Sequence, residues 1–273
     1  MSYIDEIIMK ILVFIAKIID KTISILSTLF VIILLLYSGF SIWYTHMVMD
    51  NSFVDDKIWE YKPTPSIEEP INLDKEEVNP NKENENKSPS SNDMLIEINK
   101  DYKSWITIFD THIDYPVVQG KDNMEYINKN FYGEYSISGI PFLDYRNSEY
   151  FQDNYNLLYG HHMQNDAMFS DVINFLNEDY FNNHLMGELY SLDNEYDIYL
   201  FASFETYASD EFVFMPGNLT KSQMQALLDY IKSQSVVYKE VGVNTESKLI
   251  CLSTCSNYSS NKRAVLFGML VKR

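Results

Sequence analysis

The chain has 273 residues, 46% apolar and 22% charged, a globular composition that excludes a wholly disordered protein. Acids outnumber bases 39 to 21 for a net charge of −18, and no block supplies the basic face that a nucleic-acid binder needs. Two cysteines, Cys251 and Cys255, are too few for a disulfide scaffold or a four-thiolate zinc site, and no GxxxxGKS/T, HExxH or CxxC run occurs.

The first 21 residues place Ile4, Ile7, Ile8, Ile11, Leu12 and Ile15 at helical spacing beside Lys10, Lys17 and Lys21. They read as a cytoplasmic or interfacial amphipathic segment. Residues 22–45 carry no charge, and 23–44 read ISILSTLFVIILLLYSGFSIWY. A helix of about 22 residues spans about 33 Å, enough for a hydrocarbon core of about 30 Å. Trp43 and Tyr44 stand where an interfacial aromatic belt would lie. No alanine occurs between Ala16 and Ala167, so no A-x-A-like cleavage signal follows the run. This predicts an uncleaved transmembrane signal anchor, with the N-terminus cytoplasmic and the remainder outside by the positive-inside rule.

Residues 46–93 follow as an acidic, Pro- and Asn-rich extracellular linker; from 62 to 93 there is neither an aromatic residue nor a glycine. The globular domain is expected over 94–273, long enough for one core. Strand-like runs recur at 105–108, 115–118, 157–159, 197–203, 248–252 and 264–271, punctuated by Gly, Pro, Asn and Asp. Helical spacing is confined to 167–176 and 220–233, the second with Thr220 as N-cap. The pattern predicts a mainly β fold, a barrel with inserted helices, and excludes an alternating βαβ arrangement.

Few residues are equipped for covalent chemistry. Cys255 ends the apolar run KLICLSTC and meets a polar loop, the setting of a partly exposed nucleophile. Cys251, between Ile250 and Leu252, reads as a packing residue. Four strand residues span about 13 Å, whereas disulfide Cα atoms lie within about 7 Å, so the two cannot pair along a strand. Histidines stand at 46, 112, 161, 162 and 184. His161 and His162 follow LLYG, and strand alternation turns at most one of them toward a common site. Arg263, one of three arginines, opens the apolar run RAVLFGMLV eight residues after Cys255. An antiparallel return would bring it beside Cys255, where a permanent cation lowers a thiol pKa and holds an oxyanion; a surface charge at a strand start is the alternative.

The ordered set YGHHM (159–163), LSTC (252–255) and RAVLFG (263–268) resembles the sortases, membrane-anchored cysteine transpeptidases of Gram-positive surfaces. The stretches at 105–131 and 139–147, Met168–Phe169 and the helix near 220–233 are similar to class B sortases in particular. The family pattern TLxTC has Cys251 here in place of its first threonine. The resemblance implies a closed sortase-type barrel of about eight strands. It implies a membrane-anchored transpeptidase that cuts a C-terminal sorting signal, NPxTN or (S/N)PxTG-like, after threonine. It assigns Cys255 as nucleophile, His161, directly after the glycine, as general acid and base, and Arg263 as oxyanion clamp. Asn123, Ile127, Tyr159 and Ser253 would line the substrate groove. The implied partners are sorting-signal-bearing surface proteins and an amine of the peptidoglycan precursor (lipid II or its cross-bridge), reached from the membrane; no cofactor, metal or nucleic acid is implied. A cell-wall cysteine peptidase and a non-enzymatic surface adhesion domain are the competing readings. Peptidases of the papain type place cysteine before histidine near a helix start, the reverse of the order here.

Overall fold

The computed structural model describes residues 3–50, 52–65, 90–163, 165–255 and 261–273, without the side chains of Met49, Asp50 and Cys255. Most of the expected linker therefore lies outside the described residues.

Residues 1–50 form one unit, a single helix α1 (Tyr3–Asp50), and residues 51–273 form another. The amphipathic segment and the anchor are one unbroken helix, which continues five residues past the expected end at 45. Its large apolar side chains are exposed to the surroundings, and it is the one helix among the described residues long and apolar enough to cross a membrane. Thr22 and Thr28 donate their hydroxyls back to the carbonyls of Ile18 and Ser24 at 2.8 Å, so neither carries an unmet polar group into the apolar surface.

The second unit is built on β1 (Tyr102–Ile108), β2 (Asp114–Val118), β3 (Phe142–Leu143), β4 (Tyr155–Tyr159), β5 (Met186–Ser191), β6 (Glu195–Tyr207), β7 (Val237–Tyr238), β8 (Lys248–Cys255) and β9 (Lys262–Lys272). Hydrogen bonding runs β5-β1-β2-β3-β4-β8-β9-β6, and β6 pairs with β5 to close an eight-stranded barrel. β7 adds to the same edge of β6, farther along the strand. Most pairs are antiparallel, but β2–β3 and β4–β8 are parallel. Each of the six strand-like sequence runs is a strand. The strands that periodicity missed are short (β3 and β7, two residues each) or interrupted by a glycine (β5, at Gly187).

The interior holds Ile106, Val117, Leu158, Ile198, Ile250 and Leu252. The outer faces are covered as well. Helix α5 lies at Lys221–Gln234 in the order of described helices, after α2 (Asp56–Trp59), α3 (Ser91–Ile98) and α4 (Glu178–Asn183). It buries Met224, Leu227, Leu228 and Ile231 against Phe201, Phe204, Cys251 and Phe267. Burial on both faces explains why KLICL reads as a continuous apolar run and not as an alternation. Thr220 caps α5 reciprocally with Gln223. The other helical stretch is tighter than expected, a 3-10 helix at Ser170–Leu176 that sends Val172 and Phe175 into the barrel core.

The barrel unit begins well before residue 94. Ile58 and Leu95 are fully buried in a cluster with Tyr102, Trp105, Tyr126 and Phe142. Trp59 packs edge-on to Trp105 at 5.6 Å, and Lys62 Nζ meets Asp114 Oδ2 at 2.6 Å. The expected linker boundaries are corrected accordingly: residues 52–62 and 90–93 belong with the barrel. The few apolar side chains of 52–62 are flanked by charged residues, so composition reads as linker where Ile58 is core.

Candidate active site

Parallel pairing of β4 with β8 brings their C-terminal ends together, with Tyr159 opposite Ser253. β9 starts at that same end, and its register with β8 sets Arg263 opposite Cys255. The end of β4 thus meets the neighbouring ends of β8 and β9, about a hundred residues on in sequence, at one rim of the barrel. A cleft of about 390 Å³ opens there, lined by His161, Arg263, Asn123, Ile127, Tyr159 and Ser253. These are six of the seven residues that the sequence nominates. The seventh, Cys255, is described as a backbone position of β8, while its side chain lies outside the described residues. Thr254, Phe142, Phe214 and Arg146 also line the cleft and were not nominated.

His161 is held from both sides of its backbone. Gly160 N–H donates to Ser253 O at 3.1 Å, tying the segment to β8, and Phe169 N–H donates to His161 O at 3.0 Å. Its ring Nε2 lies 2.7 Å from the carbonyl oxygen of Ile127. A carbonyl can only accept, so Nε2 carries the proton of that bond. His162 bridges to Met168 instead, and burial pulls its pKa below the ordinary histidine value. His112 pairs with Asp171 at 2.9 Å, and His184 donates its Nδ1–H to the Tyr180 carbonyl at 2.6 Å; neither lines the cleft. Cys251 is fully buried on the α5 side of β8, and burial pushes its thiol far above the usual range.

One wall of the cleft rests on a carboxylate that sequence reading missed. Asp144 is fully buried after β3, and its oxygens accept from Arg146 Nε at 2.8 Å and Nη2 at 2.7 Å. The same group accepts from Asn123 Nδ2 at 2.9 Å and from the Tyr159 hydroxyl at 3.1 Å. Arg146 reaches on to the Phe214 carbonyl at 2.8 Å, so one ion pair links four lining residues. Burial would raise the Asp144 pKa, but the Arg146 guanidinium and the Asn123 amide hold it below the ordinary value. Burial, and secondarily the same charge, pushes the Tyr159 hydroxyl well up. The available signal was the D-x-R spacing in FLDYRN, where a carboxylate and a guanidinium two residues apart share a turn. Asp144→Asn is expected to cost about 3 kcal/mol at pH 7, as the loss of one member of a buried pair. A group with a depressed folded-state pKa stabilises fully above its unfolded value, about 3.9, and loses this as pH falls through the folded value. The difference in thermal stability between the two proteins should therefore shrink below about pH 4, as calorimetry across pH would record.

Among the described residues, no group of three or more His, Cys, Asp or Glu is placed to hold a metal ion.

No family model matches the chain. Individual relatives do. Sortase B of Listeria monocytogenes is 34% identical over 182 residues, 66% of this chain and 73% of that protein. A Streptococcus pyogenes class B sortase involved in pilus biogenesis superposes with a TM-score of 0.61 at 40% identity, covering 66% of this chain and 97% of that one. The Staphylococcus aureus sortase B–substrate complex superposes with a TM-score of 0.62 at 30% identity, covering 67% and 85%.

Proposed function

The chain belongs to the class B sortases and is a cysteine transpeptidase, and from that premise we propose that Cys255, His161 and Arg263 join a sorting-signal protein to a cell-wall amine. The Cys255 thiolate attacks the threonine carbonyl of an NPxTN or (S/N)PxTG-like signal. Arg263 and backbone N–H groups stabilise the oxyanion of the tetrahedral intermediate. His161 gives a proton to the departing amine as the C–N bond breaks, leaving a thioacyl enzyme. An amine of lipid II or its cross-bridge then attacks the thioester. His161 takes the proton of that amine, the new amide forms, and the thiolate is released.

The observation that carries this reading is the convergence of the ends of β4, β8 and β9. An amide needs a nucleophile, a proton donor and an anion clamp, and the register sets Arg263 opposite Cys255 with His161 lining the same cleft. Asn123, Ile127, Tyr159 and Ser253 serve as groove residues for the signal. The substrate held by the S. aureus relative is the ligand class assigned to this cleft. We assign α1 as a single-pass anchor with its N-terminus cytoplasmic and the barrel extracellular. The adhesion-domain reading is set aside by membership in an enzyme family.

The test is cleavage of quenched signal peptides by the full chain in detergent, with and without an added amine. Cleavage with amine capture is the expected result. Cleavage to the free acid alone, at the same rate with or without amine, would favour the peptidase reading.

A further inference from the structure

The proton chemistry proposed for His161 requires its ring to be held, and among the described residues the group that bonds the ring is no carboxylate but the Ile127 carbonyl, at 2.7 Å. That carbonyl lies in the long connection between β2 and β3, whose shape decides where it points. Its neighbours are committed elsewhere. Ser136 N–H donates to Asn128 O at 3.0 Å and Ile140 N–H to Tyr126 O at 3.4 Å. Tyr126 is itself buried and fixed through its hydroxyl to Asp101 at 2.8 Å. Gly139 packs directly under this backbone, at φ +59°. A Cβ added there would stand 2.6 Å from Ile127 O and 2.8 Å from Tyr126 O. Both atoms are main chain and cannot rotate away.

We propose that Gly139 is a positioning residue for catalysis: its missing side chain lets the Ile127 carbonyl seat against His161 and fix the ring with the proton on Nε2. The inference deepens the proposed function and rests on it for the role of His161. With Nε2 committed to the carbonyl, Nδ1 is the atom that exchanges protons. Nδ1–H is given to the departing amine nitrogen as its C–N bond breaks, and the incoming amine returns a proton to Nδ1 as the new amide forms. The carbonyl does for orientation what the acid of a three-membered triad does, without adding a charge.

Gly133 provides the control. It lies in the same connection at φ +79°, with nothing within 4 Å of an added Cβ. Gly133→Ala therefore imposes a comparable backbone penalty without touching Ile127. The experiment compares the full chain, Gly139→Ala and Gly133→Ala in detergent, with histidine labelled in its ring nitrogens. The Nε2–H proton of His161, assigned by its loss in His161→Gln, is read by NMR without substrate, and kcat and KM are read with a signal peptide. The expected result is a hydrogen-bonded Nε2–H signal in the wild type and in Gly133→Ala. Gly139→Ala should lose that signal and lose about 10- to 100-fold in kcat, with KM little changed. The proposal is overturned if Gly139→Ala keeps the signal, if it loses the signal and keeps kcat, or if both alanine variants fall equally. Should Gly139→Ala fail to fold, the wild-type spectrum still decides, because absence of a protected Nε2–H removes the premise. The proton signal needs no turnover. If no peptide is cut by the wild type while the signal is present, the reading of function falls and the seating of His161 stands.

Discussion

Cys255→Ala is expected to lower signal-peptide cleavage by about 10⁴- to 10⁶-fold, the scale seen when a covalent nucleophile is removed from an acyl-transfer enzyme. No other thiol is placed to take over. Cys251 is the one other thiol in the chain. It is fully buried on the α5 side of β8, opposite Phe267 in the register with β9, and burial disfavours its thiolate. Four strand residues, about 13 Å, separate the two positions. Water attack without a nucleophile leaves only the clamp and the proton donor, which accounts for the residual rate. The measurement pairs initial rates with intact-mass detection of the acyl adduct formed in the absence of amine. The wild type should gain the mass of the acyl fragment, mapped to the peptide containing Cys255, and the alanine variant should gain none. An adduct on Cys251, or a variant within tenfold of wild type, would overturn the assignment of the nucleophile.

Much of this architecture was legible because apolar runs and turn residues fix strands locally. The six strand-like runs are apolar enough for burial on two faces to show in the sequence. The closure of the barrel was not legible from pattern. It depends on β5 pairing with both β1 and β6, and Gly187 breaks that strand's signature. The true start of the barrel unit was hidden for a related reason. Ile58, Trp59 and Tyr61 are flanked by charged residues, and only the cluster that Ile58 joins with Trp105 and Tyr126 tells that it is core.

At the site, the legible residues were those whose chemistry is scarce: two cysteines, five histidines and three arginines leave few combinations. Asp144 and Arg146 escaped because Asp is common and a paired ion looks like any surface charge until its burial is known. Gly139 escaped because its importance is an absence, the space that lets two carbonyls approach. The burial of the pair and the close approach at Gly139 arise only in the folded chain.

The same scarcity singles out Arg263 for the second large effect. Arg146 is locked bidentately onto Asp144, and Arg273 meets Glu188 at 3.0 Å and Asp197 at 2.7 Å. Arg263 lines the cleft, and among the described residues no carboxylate neutralises it; its Nη1 donates to the Lys262 carbonyl at 3.1 Å. That bond orients the planar group while leaving further N–H donors for an incoming anion. Arg263→Ala should therefore lose about 3–4 kcal/mol of transition-state stabilisation, about 10²- to 10³-fold in kcat, as removal of an oxyanion donor does elsewhere. Because the charge it meets develops only as the thiolate adds, KM should change much less than kcat. Arg263→Lys separates charge from geometry. A lysine keeps the cation but not the rigid fork, so only part of the loss should be recovered. A lysine variant with near-native kcat would overturn the fork as the source of the effect and leave a simple electrostatic one. A loss confined to KM in Arg263→Ala would move the residue from the oxyanion to ground-state binding of the signal peptide.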